Sequence, residues 1–174
     1  MPIRSASKQS AWRRQLELER EYAWSYFQHA LAHDYKGSER PFAEVERSVV
    51  LAGFAMKRLI DGQEVFDEVA DRSIHLSAYE AQHDRLRSDS EPVRFVDLID
   101  IGRLEISVRD LTHHIVSCEQ IMVVSGDAEI PEGMLIVLTG GTMDRLLHIS
   151  LNAFMEATGW LTTENSIPKR PSRT

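Results

Sequence analysis

One segment of the chain carries every signal of a long helix, and it constrains the fold more than any other part. It is residues 40–62, RPFAEVERSVVLAGFAMKRLIDG. Proline stands near the first turn, acidic residues come early, basic residues come late, and Asp61-Gly62 ends it. Its middle, VVLAGFAM, is apolar on nearly every side, which predicts a helix buried on several sides or packed against a partner subunit. Ala52, Gly53 and Ala55 would permit close helix contact.

Two further segments before residue 91 show helical spacing. In residues 10–35, SAWRRQLELEREYAWSYFQHALAHDY, apolar side chains fall on one side and charged ones on the other. Residues 63–90 are predicted as a third helix, with a break near Ser73, before the polar SDSEP linker. The next stretch, VRFVDLIDIG, is predicted as a strand or a loop, and a further helix is expected to begin at Ser107.

After residue 118 the pattern changes. The runs CEQIMVVSG, EGMLIVLTG and RLLHISL are separated by turn residues, which predicts a small three-stranded antiparallel sheet. NAFMEATGWL is expected to form a closing helix. We therefore predict one α+β domain over residues 1–165: a bundle of long helices over about 6–118, a β-rich part over about 119–162, and a C-terminal helix. Residues 166–174 are expected to be a disordered basic tail.

The distribution of charge argues against broad binding to duplex DNA. The chain has 174 residues and a net charge of −7. Seven of its 20 Lys and Arg residues lie within residues 1–14 and 169–174, so residues 15–168 carry the other 13 bases against all 27 acids. Such a body repels phosphate backbones over most of its surface. A local contact with RNA or a nucleotide stays open.

The expected compartment is the cytoplasm. No stretch has the roughly 20 apolar residues that a membrane span needs, and the N-terminus lacks a secretory signal, so no membrane association is expected. Cys118 is the only cysteine and cannot form an internal disulfide. Phosphate-binding glycine loops and nucleophile elbows are absent from the sequence, and no cofactor is expected.

The segment SVRDLTHHIVSCE, residues 107–119, holds the most concentrated chemistry. At helical spacing Arg109, Asp110, His113 and His114 share one polar face with Ser117, whereas Val108, Leu111, Thr112, Ile115, Val116 and Cys118 form the apolar one. Asp110 with His114, and Arg109 with His113, are i, i+4 neighbours, an arrangement that suits acid–base chemistry on a phosphodiester. The alternative is a solvated helix face, with Ser107 and Asp110 forming a capping box.

The run RDLTHH resembles the Arg-x4-His motif of the HEPN superfamily, in which Asn, Asp or His typically follows the arginine. The resemblance implies a helical bundle, often dimeric. Active members cleave RNA without metal, and others serve as binding or assembly modules. Carried over, Arg109 would contact the scissile phosphate, His114 would transfer a proton and Asp110 would support them.

The same helix and the strands after it are also similar to small uncharacterised bacterial proteins that contain Arg-Asp-Leu-Cys-Asn-x-Ile-Ile-His. That pattern would place the histidine at Ser117, and the resemblance implies no known activity.

The run HALAH gives a second candidate motif. His29 and His33 stand at i, i+4 spacing, which can supply two ligands of a zinc site. The alternative is a pair of surface histidines on an amphipathic helix.

Two functions therefore stay open. The first is a dimeric interaction or assembly protein without catalysis, with a homodimer through the first two helices or another protein partner. The second is a HEPN-like ribonuclease or nucleotide-binding module that uses Arg109, Asp110, His113 and His114.

Overall fold

A five-stranded antiparallel sheet carries the helices on one of its faces. The computed structural model describes residues 10–32, 40–82, 98–124, 126, 130–139 and 143–163. The helices in these residues are α1 (Ala11–Ala32), α2 (Arg40–Asp61), α3 (Asp67–Ala70), α4 (Val108–Ser117) and α5 (Leu151–Thr162). The strands are β1 (Ser73–Gln82), β2 (Ile99–Ser107), β3 (Gln120–Val124), β4 (Gly133–Leu138) and β5 (Met143–Ile149). The predicted α+β class is confirmed.

The order of strands in the sheet is β2-β1-β5-β4-β3. The predicted meander is present as β3, β4 and β5, but β1 and β2 extend it on the β5 side, so the predicted size of three strands is wrong. β2 pairs with β1 over almost its full length, with a bulge between Ala78 and Tyr79. Gly102 lies opposite Ala78 and has a φ of 102°, which glycine adopts without steric cost.

The predicted third helix is wrong over most of the part that the structure describes. Only Asp67–Ala70 is helical, and the chain then enters β1. Ile74, Leu76 and Ala78 are buried in the core with the helices, whereas Tyr79 and Ala81 belong to a second apolar cluster. Such alternation between two faces is typical of a strand. The remaining part of the predicted helix, residues 83–90, lies outside the described residues. The segment predicted as a strand or loop forms β2 from Ile99 onward.

The sheet therefore has two faces with different surroundings. The inner face packs against the helices through side chains that include Leu76, Ile136 and Ile149. The outer face carries the second apolar cluster, to which Leu135, Val137 and Leu146 contribute.

Helix α2 lies at the centre of the helical layer, as its all-round apolar middle predicts. Ala52 and Ala55 have no exposed surface. Gly53 approaches α4 so closely that an added Cβ would collide with the side chain of Ile115. α1 packs along α2 and also against α5.

Within the described residues, no helix combines the length and apolar composition that crossing a bilayer requires.

A buried arginine joins α1 to two other elements. The guanidinium of Arg13 donates to the carbonyls of Leu161 at 2.7 Å, Glu64 at 3.1 Å and Thr163 at 3.2 Å. Arg20, two turns later, donates to the carbonyl of Met155. The bonds of Arg13 satisfy carbonyls at the C-terminal end of α5 and just after α2, and the bond of Arg20 reaches the first half of α5. Together they link α1 to α2 and α5.

Candidate functional site

Helix α4 begins where the sequence predicts, and its cap uses one of the candidate residues. The hydroxyl of Ser107 accepts a hydrogen bond from the backbone N–H of Asp110 at 3.0 Å and donates to Oδ2 of Asp110 at 2.7 Å. The backbone N–H of Val108 donates to the carbonyl of Arg72, just before β1. Asp110 thus serves the helix terminus, as the capping-box interpretation expects.

The apolar side of α4 is buried as predicted. Val108, Leu111, Thr112 and Ile115 are buried, and Val116 and Cys118 are partly buried. The Cys118 thiol donates to the carbonyl of Ile115, and burial raises its pKa. A raised pKa disfavours the thiolate, so Cys118 has the properties of a packing residue.

Arg109 is held by two acidic residues at α3. Its Nε donates to Oδ1 of Asp71 at 2.8 Å, and its Nη2 donates to Oδ1 of Asp67 at 2.7 Å. The hydrogen bond to Asp71, followed by that to Asp67, raises the pKa of the guanidinium. The predicted pairing of Arg109 with His113 is therefore replaced by an ion-pair network that joins α4 to α3.

The two histidines lie near the other end of the helix. Their ring centroids are 6.0 Å apart, His113 is exposed and His114 is partly buried. Burial lowers the pKa of His114, and the nearby charges of His113 and Arg145 lower it further, against an opposing effect of Asp110. At neutral pH His114 is thus a neutral imidazole, able to accept a proton.

The structure accordingly divides the four candidate residues. His113, His114 and Asp110 are close enough for their charges to interact, together with Arg145 of β5. Arg109 turns towards α3, and residues five apart on a straight helix point about 140° from each other. Within this chain, Arg109 and His114 therefore face different neighbours.

The predicted metal pair is only half described. His29 is exposed in the last turn of α1, and His33 lies outside the described residues. Among the described residues no group of three or more His, Cys, Asp or Glu side chains is placed to hold a metal ion.

A cleft that the sequence interpretation missed lies on the outer face of the sheet. Its volume is about 280 Å³. Its lining consists of His75, Leu76, Ser77, Arg103, Pro131, His148 and Ser150. The sequence pattern that could have predicted the cleft is the alternation of His75, Ser77 and Tyr79 in β1. It was missed because that segment was predicted to be a helix.

Cross-strand pairing brings the polar side chains of the cleft into one row. Ser77 lies opposite Arg103 of β2 on one side and opposite His148 of β5 on the other. His75 precedes Ser77 by two residues and shares its face. Side chains directly opposite on neighbouring strands have Cβ atoms about 5 Å apart, so one small ligand can reach all three strands.

Comparison of the chain with protein-family models, with curated proteins and with solved structures finds no match of any of the three kinds.

Proposed function

We propose that this protein is an interaction or assembly protein that forms a homodimer through α1 and α2. The observation that carries the proposal is the placement of large apolar side chains on the solvent side of α1. Trp12, Leu18, Tyr22 and Trp24 are each at least 40% exposed. Phe54 of α2 is exposed to a similar degree, whereas the core-facing side of both helices is filled.

The apolar side chains are concentrated along a short length of α1. Leu18 and Tyr22 are i, i+4 neighbours on the solvent side of α1, and the rings of Tyr22 and Tyr26 lie 6.0 Å apart. Trp24, two residues after Tyr22, is exposed on another side of the helix. Aromatic side chains are enriched where protein surfaces meet, since they bury a large area at a small cost in side-chain entropy. Clusters of exposed apolar residues mark interaction sites more often than isolated ones do.

The charges around this cluster fit a second copy of the same chain. Arg14 and Glu21 are exposed, one heptad apart on the same side of α1. In an antiparallel α1 pair centred near Leu18, Arg14 would lie opposite Glu21 of the partner helix, and the two-fold axis would repeat the contact. Self-complementary charge of this kind favours a homodimer over an unrelated partner.

Sedimentation velocity at several protein concentrations tests the proposal. We expect a dimer whose dissociation constant rises at least about tenfold in Tyr22→Glu, because a charge replaces an aromatic ring that the dimer would bury. Ile101→Glu is the matched control, since Ile101 is equally exposed but lies on β2. A monomer at all concentrations, or equal weakening by both variants, contradicts the proposal.

The HEPN-like alternative has one supporting observation, which is the neutral imidazole of His114 beside the exposed His113. Arg109 would have to leave Asp67 and Asp71 to contact a phosphate. An RNA cleavage assay in EDTA tests this function, with His114→Ala as the variant and His29→Ala as the control. Cleavage that His114→Ala abolishes would support it, and no cleavage by the wild type would exclude it.

A further inference from the structure

We propose that the outer-face cleft binds a small ligand through a phosphate group. The proposal concerns the opposite side of the molecule from the α1 surface, because α1 packs on the helical layer and the cleft opens on the outer face of the sheet. The two proposals are independent, and either can fail alone.

The first support is that the floor of the cleft is rigid. Arg103, Ser77 and His148 occupy one row across β2, β1 and β5, and backbone pairing fixes their spacing. β1 and β5 are both interior strands of the sheet. Groups held by regular elements keep their geometry before a ligand arrives, which reduces the entropy lost on binding.

The second support is the way one wall is attached. Nε2 of the buried His148 donates to the carbonyl of Pro131 at 2.9 Å, which ties the segment before β4 to β5. Gly133 leaves room for this contact, since a Cβ there would lie 2.7 Å from Nε2 of His148. Burial lowers the pKa of His148, so at neutral pH the ring carries one N–H, and the bond to the Pro131 carbonyl places it on Nε2.

The third support is the charge of the lining. Arg103 is exposed at the cleft, His75 stands beside it, and the described lining contains no acidic residue. The carboxylate nearest in the strand pairing is that of Glu105, opposite His75. Among the described residues no acidic side chain forms an ion pair with Arg103. Its guanidinium therefore offers the cleft a positive charge and paired N–H donors.

The arrangement of donors favours a phosphate over a carboxylate. Arg103 lines the cleft from β2, Ser77 from β1, and Ser150 from the junction of β5 with α5. The hydroxyl of Ser77 also hydrogen-bonds with the side chain of Tyr79, so Arg103 and Ser150 are the principal donors. A phosphate accepts hydrogen bonds in several directions, whereas a carboxylate accepts them close to one plane. Ser150 also caps α5 by accepting from the N–H of Ala153, so the positive end of that helix lies beside the cleft.

The size of the cleft limits the remainder of the ligand. At about 280 Å³ it lies just below the 300–1,000 Å³ typical of small-molecule sites. This volume is sufficient for a phosphate with a small organic group.

Titration with inorganic phosphate, followed by ¹H–¹⁵N NMR at constant ionic strength, tests the proposal. We expect saturable shifts of the amides of Ser77, Arg103 and His148, with weaker effects of acetate and none of chloride. Arg103→Gln should weaken phosphate binding about tenfold or more, the loss typical of a charge-assisted hydrogen bond. Arg103 is on an edge strand and exposed, so the variant should fold.

Arg47→Gln is the control for the loss of one positive charge. Its side chain is exposed on α2 and does not line the cleft, so binding should change less than twofold. Shifts that do not saturate, that appear equally with chloride, or that Arg103→Gln leaves unchanged would overturn the proposal. Equal binding of acetate would overturn the choice of phosphate.

Discussion

Removal of the Arg13 guanidinium should be among the most costly single changes in this protein. Arg13→Met retains most of the aliphatic length but deletes the three donors to Leu161, Thr163 and Glu64. The bond to Leu161 is buried, and the other two are partly buried. A hydrogen bond to a charged group contributes about 1.5–3 kcal/mol, and a carbonyl that water can reach loses less than this.

Taking the buried bond at the lower end of this range, and each of the two partly buried bonds at about half of that, gives a loss of about 3 kcal/mol. Burial lowers the pKa of Arg13, with opposing effects of Glu64 and Glu17, so the desolvation of this charge offsets part of the gain in the wild type. A loss of about 3 kcal/mol is a large fraction of the 5–15 kcal/mol that stabilises a typical domain. It corresponds to a fall of roughly 6–12 °C in Tm for a chain of this size.

Urea unfolding followed by tryptophan fluorescence measures this change. Trp12 and Trp24 lie in α1 and Trp160 lies in α5, so the signal reports on both helices that Arg13 joins. Arg47→Met is the matched control, because Arg47 is exposed on α2 and forms only a surface ion pair with Glu44, and it should change stability by less than about 0.5 kcal/mol. If Arg13→Met unfolds within 0.5 kcal/mol of the control, the role assigned to these bonds is wrong.

Three further changes probe other contacts. Gly53→Ala should lower the free energy of unfolding by about 1–3 kcal/mol in thermal melts, and Ile115→Leu, which lacks the branch that collides, should recover part of it. Arg109→Gln should cost less than about 1 kcal/mol, because its ion pairs are exposed; a larger loss in urea would contradict this. Burial lowers the pKa of His148, so unfolded chains gain a proton below about pH 6.5 that the folded protein excludes. Wild-type stability should therefore fall from pH 7 to 5, and His148→Gln, which retains a donor for Pro131, should flatten that fall; an unchanged slope would refute the assignment.

The sequence predicts those helices whose first and last turns are marked by local residues, such as a capping residue, a proline or a glycine. α2 begins at Arg40 and ends at Asp61, as its proline, charge order and Gly62 indicate. The start of α4 after Ser107 is also predictable, because the capping pattern that marks it lies within four consecutive residues. β3, β4 and β5 are predictable for a similar reason, since turn residues separate short apolar runs and neighbouring strands pair.

The features that the sequence did not predict depend on contacts between distant parts of the chain. β1 contains Ala, Glu and Gln, which favour helices in isolation, and it becomes a strand by pairing with β2 and β5. Arg109 finds Asp67 and Asp71 about 40 residues earlier, so the i, i+4 rule could not predict its partners. The cleft joins residues of three strands whose register is set by the folded sheet, and no local pattern contains it.

The distance between two copies of α1 tests the proposed assembly most directly. Ser25 is exposed on α1 beside the apolar cluster. Spin labels at Ser25→Cys, in a Cys118→Ser background, allow pulsed electron paramagnetic resonance to measure the separation between subunits. For a two-fold pair of α1 helices, whose axes pack about 10 Å apart, we predict one narrow distance that disappears in Tyr22→Glu. The absence of any intersubunit distance, or an equal one that Tyr22→Glu leaves in place, would contradict a dimer through α1.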